Sequence, residues 1–380
     1  MKKILSIFIT LILVLTGSYI LWSSYGRTPP PINVQLHIDN SFELNGDSGK
    51  GNVVGINAYM MPVDYASSDH FMAKLDGYLS TCNEKGWLNS KTTVIFPEYI
   101  GTWLVLEGEK NSSYSAETVD QSLRGFVLSN FFSYIQAWFM APDVAKDKIK
   151  HSVFSMKGQR MANLYTRTFS KLAKKYKITI IAGSILLPNP EVRKNEIITH
   201  KGSIENITAV FNPDGSMQPK LTRKAFPIAD ELSFVRQCPV SEIPVYSLPL
   251  GKTAVMICAD SWFPESYQAI NQDSLVFIAV PSFTTIDNSM SAKWAGYSGF
   301  GAPADVDTMD IGKITLRQAW VKYTMPHRIL STSSKYGMTV SLRGKLWDLG
   351  TDGELIVYNR GEVFCPPAMQ GASMVNLWIN

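Results

Sequence analysis

The chain has 380 residues, 45% of them hydrophobic and 18% charged, a balance that excludes disordered, collagen-like and coiled-coil proteins. Its 36 basic and 32 acidic residues give a net charge of +4, two units of which are Lys2 and Lys3 at the extreme N-terminus, so bulk charge gives no support for nucleic-acid binding. Four cysteines (Cys82, Cys238, Cys258, Cys365) with no CxxC spacing exclude a disulfide scaffold and a zinc module.

Residues 4–22 run for nineteen positions without a charge. As a helix this stretch spans about 28 Å, close to the hydrocarbon thickness of a bilayer. Lys2 and Lys3 precede it and Arg27 is the next charge, so the positive-inside rule keeps the lysine end cytoplasmic and everything after Trp22 outside. A cleavable signal peptide has a shorter apolar region and a small-x-small site. Here no alanine occurs before Ala58 and 19–22 is bulky, which favours an uncleaved signal-anchor. No cysteine follows the run, which excludes a lipoprotein anchor. Pro29, Pro30 and Pro31 then read as a stiff tether. The expected organisation is an anchor over 1–25, a tether over 26–51 and one domain over 52–380.

Within the domain, 53–58 reads as a buried strand and 70–88 as a helix presenting Phe71, Leu75, Leu79 and Trp87 on one face. A β-rich run at 92–96 ends at Pro97-Glu98. The uncharged, aromatic stretch 125–142 is a poor membrane span because of Ser129, Asn130, Ser133 and Gln136. It reads first as a buried or interface helix, and second as a surface leaning on the bilayer or lining an acyl pocket. A helix is expected over 156–176, a strand over 178–187, and a hairpin over 207–224 turning at Asn212-Pro213-Asp214-Gly215. A strand over 252–258, a helix from 263 to 269, a strand over 275–280, a helix over 315–327 and strands at 338–342 and 355–359 complete the alternation. Strands alternating with helices indicate one mixed α/β domain.

Three strand ends carry reactive side chains: Glu98, Lys224 and Cys258. Loops at strand ends are where α/β folds place catalytic groups. A thiol is a strong nucleophile once ionised, a lysine can hold a developing oxyanion, and a carboxylate can take the thiol proton and return it to a leaving amine. Together they suit attack on a carbonyl or nitrile carbon. Taken singly, each is more often structural: a buried cysteine packs, and an isolated Lys or Glu is solvated.

In order and context these segments resemble the nitrilase superfamily of carbon–nitrogen hydrolases. Ile95-Phe96-Pro97-Glu98-Tyr99 is similar to its glutamate motif, Arg223-Lys224-Ala225-Phe226 to its lysine motif, and Val255-Met256-Ile257-Cys258-Ala259-Asp260 to its nucleophile motif. The resemblance implies a four-layer α-β-β-α sandwich, here preceded by one N-terminal transmembrane helix. It implies Cys258 as nucleophile, Glu98 as general base and then acid, and Lys224 as stabiliser of the tetrahedral intermediate. Glu231, seven residues after Lys224, is the candidate second glutamate, although the family spacing is eight residues or much longer. The backbone N–H of Ala259 is the candidate oxyanion donor. No cofactor or metal is implied, and superfamily members usually form homo-oligomers.

The region 103–150 has no counterpart to transfer from the family, and Phe283, Thr284 and Thr285 stand where it often lines its pocket. His327 and Arg328 read as buried ion-pair partners. His37, His70, His151 and His200 show no metal spacing, and the sequons at Asn111 and Asn206 are of a kind common by chance. The expected activity is hydrolysis of a small-molecule amide through a cysteine thioester, by an enzyme held at a membrane with its catalytic domain outside the cytoplasm. The alternatives are acyl transfer from a lipid to an amine, as in apolipoprotein N-acyltransferase, and a non-catalytic binding protein on the same scaffold. Cys258 is expected to lie too deep to pair with Cys238.

Overall fold

Helix α1 (Lys2–Ser24) is apolar, has none of its residues buried, and is long and apolar enough to cross a membrane. It opens the computed structural model, which describes residues 2–299, 301–367 and 369–380. In chain order there follow β1 (Ile38–Leu44), β2 (Asn52–Asn57), the short β3 (Tyr59–Met60), α2 (Ser68–Glu84) and β4 (Thr92–Ile95). A helical insertion comes next: α3 (Asn111–Tyr114), α4 (Val119–Ser129), α5 (Phe131–Met140) and α6 (Lys148–Ser155). Then come α7 (Gly158–Tyr176), β5 (Thr179–Arg193), β6 (Glu196–Phe211), β7 (Thr222–Arg223), β8 (Val245–Leu248), β9 (Gly251–Val255), α8 (Pro264–Ile270) and β10 (Leu275–Ser282). Helices α9 (Leu316–Tyr323) and α10 (Met325–Arg328) precede β11 (Tyr336–Ser341), β12 (Arg343–Gly344), β13 (Ile356–Asn359), β14 (Glu362–Phe364) and β15 (Ala372–Trp378).

Seven strands form one sheet in the order β1-β15-β2-β4-β5-β6-β7, and six form the other in the order β14-β13-β11-β10-β9-β8. The centre of each sheet is parallel, β2-β4-β5 in the first and β9-β10-β11 in the second. Parallel neighbours need crossovers, and α2, α7, α8 and the α9–α10 pair supply them. The alternation of side chains then divides the core. Val53, Ile95, Ile181 and Val375 face Val255, Phe277, Met338 and Val340 between the sheets. Val54, Ile56, Val94 and Ile180 pack instead under α2 and α7, on Phe71, Leu75, Tyr165 and Phe169. On the far side, Ala254, Met256 and Ile278 meet Tyr267, Ile270 and Met325 of α8 and α10. The result is the expected α-β-β-α sandwich. Gly55 lets the sheets approach closely, since a Cβ there would stand 2.3 Å from Met338 Sδ.

Several expected elements differ from the structure in instructive ways. Residues 26–51, read as a tether, are bound to the domain along much of their length. β1 pairs in parallel with β15, the Lys74 ammonium and the Tyr78 hydroxyl donate to the carbonyls of Gln35 and Leu36, and Arg27 pairs with Glu109 at 3.0 Å. Strand β5 runs six residues past the expected end and continues into β6 as a two-stranded ribbon. The ribbon tolerates Pro188 and Pro190, with a register shift between them. The helix expected over 315–327 breaks at Thr324, where Pro326 removes a donor and starts α10. Arg328 is buried and pairs with Asp305 through two bonds of 2.7 and 2.9 Å, whereas His327 is exposed and shares no ion pair among the described residues. The stretch 125–142 is neither one helix nor buried: it splits at Asn130 into α4 and α5, and Leu128, Phe131, Phe132, Phe139 and Met140 face outward.

Candidate active site

Glu98, Lys224, Glu231 and Cys258, which lie far apart in sequence, meet at the strand ends, all of them buried. Glu98 leaves β4 through Pro97. Gly183 makes room for that turn: its φ of +67° sits in a bulge of β5, and a Cβ there would lie 2.1 Å from the Pro97 carbonyl oxygen. Lys224 directly follows β7, whose pairing with β6 places its backbone N–H on the Asn206 carbonyl at 2.9 Å. Cys258 begins the short turn of 3-10 helix after β9.

The Lys224 ammonium bridges two carboxylates, with Nζ 2.8 Å from Glu98 Oε1 and 2.6 Å from Glu231 Oε2. Glu231 therefore joins the cluster in spite of its spacing. The Asn206 amide closes the group, donating to Glu98 Oε1 at 2.9 Å and to Glu231 Oε1 at 3.0 Å. Glu231 also accepts from the Tyr99 hydroxyl and from the Ile228 backbone N–H at 2.9 Å. The Cys258 thiol faces the Phe283 carbonyl oxygen at 3.7 Å, and Phe283 meets the Tyr99 ring edge-on at 5.6 Å. The Ala259 backbone N–H has no acceptor among the described residues, which leaves it available to an incoming oxygen.

Electrostatics couple these groups. Burial raises the Glu98 carboxyl above its ordinary value, Lys224 opposes that and Glu231 adds to it. Burial alone would lower Lys224, but Glu231 and Glu98 outweigh it and hold the ammonium firmly charged. Burial, then Glu98, pushes the Cys258 thiol well up, and Lys224 only partly offsets them. The resting arrangement is thus a neutral thiol beside an ammonium shared by two carboxylates. A thiolate would add buried negative charge beside Glu98 unless its proton passed to Glu98 as it formed. Tyr99 and Cys258 both adopt left-handed backbone conformations, with φ of +62° and +47°, which side chains other than glycine rarely take.

Sequence reasoning gave no role to Asn206, Tyr99 or Asp260. Asn206 appeared only as a sequon, yet it is 1% exposed and its amide is committed to the two glutamates. The hairpin register was the usable signal, since it sets Asn206 opposite Lys224. Asp260 braces the turn that carries Cys258. Its Oδ1 accepts from the Ala225 and Phe226 N–H groups at 2.9 Å each, and its Oδ2 accepts from Ile257 N–H at 3.0 Å, tying the lysine segment to the cysteine segment.

Burial pushes the Asp260 carboxyl from 3.8 up to about 7, against those three N–H groups and Lys224. The folded state therefore holds this proton at pH values where the unfolded chain has lost it, so the contribution of Asp260 to stability falls as pH rises from about 4 to about 7. Asp260→Asn turns one acceptor into a donor facing an N–H. It should cost about 1–3 kcal/mol and remove that pH slope, read from urea midpoints at pH 5 and pH 8. An unchanged slope would refute the assignment.

All four cysteines are free, with Cys258 and Cys238 both buried. Residues 135–301 match the family model described as carbon-nitrogen hydrolase, a span that holds Lys224, Glu231 and Cys258 and leaves Glu98 upstream. Comparison with curated proteins gives no match. Among solved structures, the chain is similar to a double mutant of the amidase from Nesterenkonia sp. AN1 in complex with acrylamide, at 13% identity and TM-score 0.49, covering 88% of this chain and 93% of that one. A Saccharomyces cerevisiae member of branch 10 of the nitrilase superfamily gives 16% identity and TM-score 0.48, covering 86% and 88%. By sequence, then, residues 135–301 match the carbon-nitrogen hydrolase family.

Proposed function

We propose that the protein is a membrane-anchored amidase-type hydrolase that works through a thioester on Cys258. The observation that carries this reading is the buried Lys224 ammonium held between Glu98 and Glu231 beside a buried thiol. In the first half-reaction the Cys258 sulfur bonds to the amide carbon while Glu98 takes the thiol proton. The oxyanion is met by Lys224 and the Ala259 N–H, and Glu98 returns the proton to the leaving nitrogen as the C–N bond breaks. In the second, water adds to the thioester, Glu98 takes its proton, and that proton returns to sulfur as the acid leaves. The length and apolar composition of helix α1 support the anchor, and Lys2 and Lys3 in its first turn favour the extracytoplasmic side for the domain.

The exposed apolar side chains of α5 and the end of α4 favour a second reading, in which an amine replaces water and the acyl group comes from a lipid. One experiment tests both. The full-length protein is incubated with short aliphatic amides, and separately with phospholipid, followed by ammonia detection and intact mass. Ammonia release with a hydroxylamine-labile acyl adduct on Cys258 is the expected result. A long-chain adduct from phospholipid alone would favour transfer, and no adduct with any donor would reject the thioester.

A further inference from the structure

The catalytic cluster leaves helices α4 and α5 unexplained. No charge occurs from 125 to 142, yet Phe132 is 63% and Phe139 82% exposed, and Val144 beyond them is 74% exposed. Charge is confined to the first turns of α4, where Arg124 pairs with Asp120 at 2.7 Å, and the rest of α4 and all of α5 expose apolar side chains of the kind that mark an interaction.

The contacts of α1 identify what covers this surface. The Tyr19 hydroxyl donates to the Leu128 carbonyl at 3.1 Å and accepts from the Phe131 N–H at 3.0 Å, and its ring meets Phe132 edge-on at 5.3 Å. The Lys110 ammonium stands 3.9 Å from the centre of the Trp22 ring. Arg27 ties the exit of the helix to the domain through Glu109 at 3.0 Å and the carbonyls of Gly108 at 3.1 Å and Ser129 at 3.0 Å. These bonds fix the depth of the α4–α5 elbow relative to α1. Tyr19 lies five residues before the end of α1 at Ser24, about 7.5 Å along the helix axis. With α1 across a bilayer, the groups that touch Tyr19 are carried that far below its outer end, into the layer where tyrosine and tryptophan collect.

We infer that the α4–α5 elbow, with the segment through Ile149, lies in the outer interfacial layer of the same bilayer that α1 crosses, so that the domain docks face-down on lipid. The inference rests on the anchor reading above. Lys146 and Lys148 alternate with Asp143 and Asp147 beside the apolar surface, so the docking rests on its exposed apolar side chains rather than on net charge. The docked face also adjoins the loop that carries Glu231: the Asp147 N–H donates to the Ser233 carbonyl at 2.9 Å, and Phe154 stacks on Phe234 at 5.8 Å.

The test uses the full-length chain in phosphatidylcholine nanodiscs, with and without brominated lipid. Phe139→Cys and Val144→Cys variants carry an environment-sensitive dye. Glu84→Cys, at the opposite end of the strands from the site, is the control, and the unsubstituted chain is the labelling blank. Dye at 139 and 144 should be blue-shifted and quenched several-fold more than at 84. Equal quenching at all three positions would overturn the inference. A blue shift without quenching would also overturn it, since a second copy of the chain would then cover the face. Failure to enter nanodiscs would overturn the anchor reading together with this inference, and none of these readouts depends on turnover.

Discussion

Cys258→Ala is expected to lower turnover of any amide substrate by roughly 10⁴-fold or more while leaving the protein folded. No other buried group in the cluster can form the covalent bond: Glu98 and Glu231 are committed to Lys224, and the Tyr99 hydroxyl to Glu231. The thiol hydrogen-bonds to the Glu98 carboxyl and, at 3.7 Å, to the Phe283 carbonyl, both weak sulfur contacts whose loss costs little. The uncharged thiol carries no ion pair, and alanine accepts the +47° backbone no worse than cysteine does. A stability change within about 1–2 kcal/mol is expected, checked by thermal melting. Cys238→Ala serves as the control, since burial pushes that thiol up to about 11 and it lies outside the cluster. Activity retained in Cys258→Ala, or lost equally in Cys238→Ala, would refute the nucleophile assignment.

The strand ends were the legible part of this site. An apolar β run ending in a charged or nucleophilic residue is visible in sequence, and Glu98, Lys224 and Cys258 each close one. The hairpin turn at 212–215 was also visible, and Asn212 accepts the Gly215 N–H there at 2.8 Å. Glu231 was half legible, because a residue in an irregular loop has no periodicity to fix where it points. Asn206 was hidden for the opposite reason: it sits inside a regular strand, and only the cross-strand register with Lys224 gives it meaning. The stretch 26–51 was misjudged because its polar composition describes solvent exposure rather than pairing. β1 is an edge strand with only partial burial, paired with β15, and its short alternation of Phe42 and Leu44 with Ser41 and Glu43 is interrupted by polar Asn40. The split at Asn130 was likewise silent in the hydropathy. Its side chain turns inward, donating to Glu109 and to the Phe126 carbonyl at 2.8 Å each, and thereby divides α4 from α5.

Lys224→Met should be the most destabilising single change in the site, by about 3–5 kcal/mol, as well as inactive. Methionine fills much of the volume, so the loss is electrostatic rather than a cavity. Glu98 and Glu231 would remain 1% and 2% exposed, joined by one Asn206 amide and no cation. Glu98 already stands above the usual carboxylate range because of burial, with Lys224 as the largest opposing influence, so removing the lysine raises it further. In the variant Glu98 therefore binds a proton at pH values where the unfolded chain does not. By linkage, the stability of the variant is greatest below the ordinary glutamate range and declines as pH rises through the raised value. Its deficit relative to the unsubstituted protein should accordingly be larger at pH 8 than at pH 5, measured by urea midpoints. Adding Glu98→Gln should recover part of the loss at pH 8, because a neutral amide oxygen still accepts from Asn206 without bringing a buried charge. A deficit equal at both pH values and untouched by the second change would mean that Lys224 acts through packing alone, and the bridged-carboxylate account of the site would fall with it.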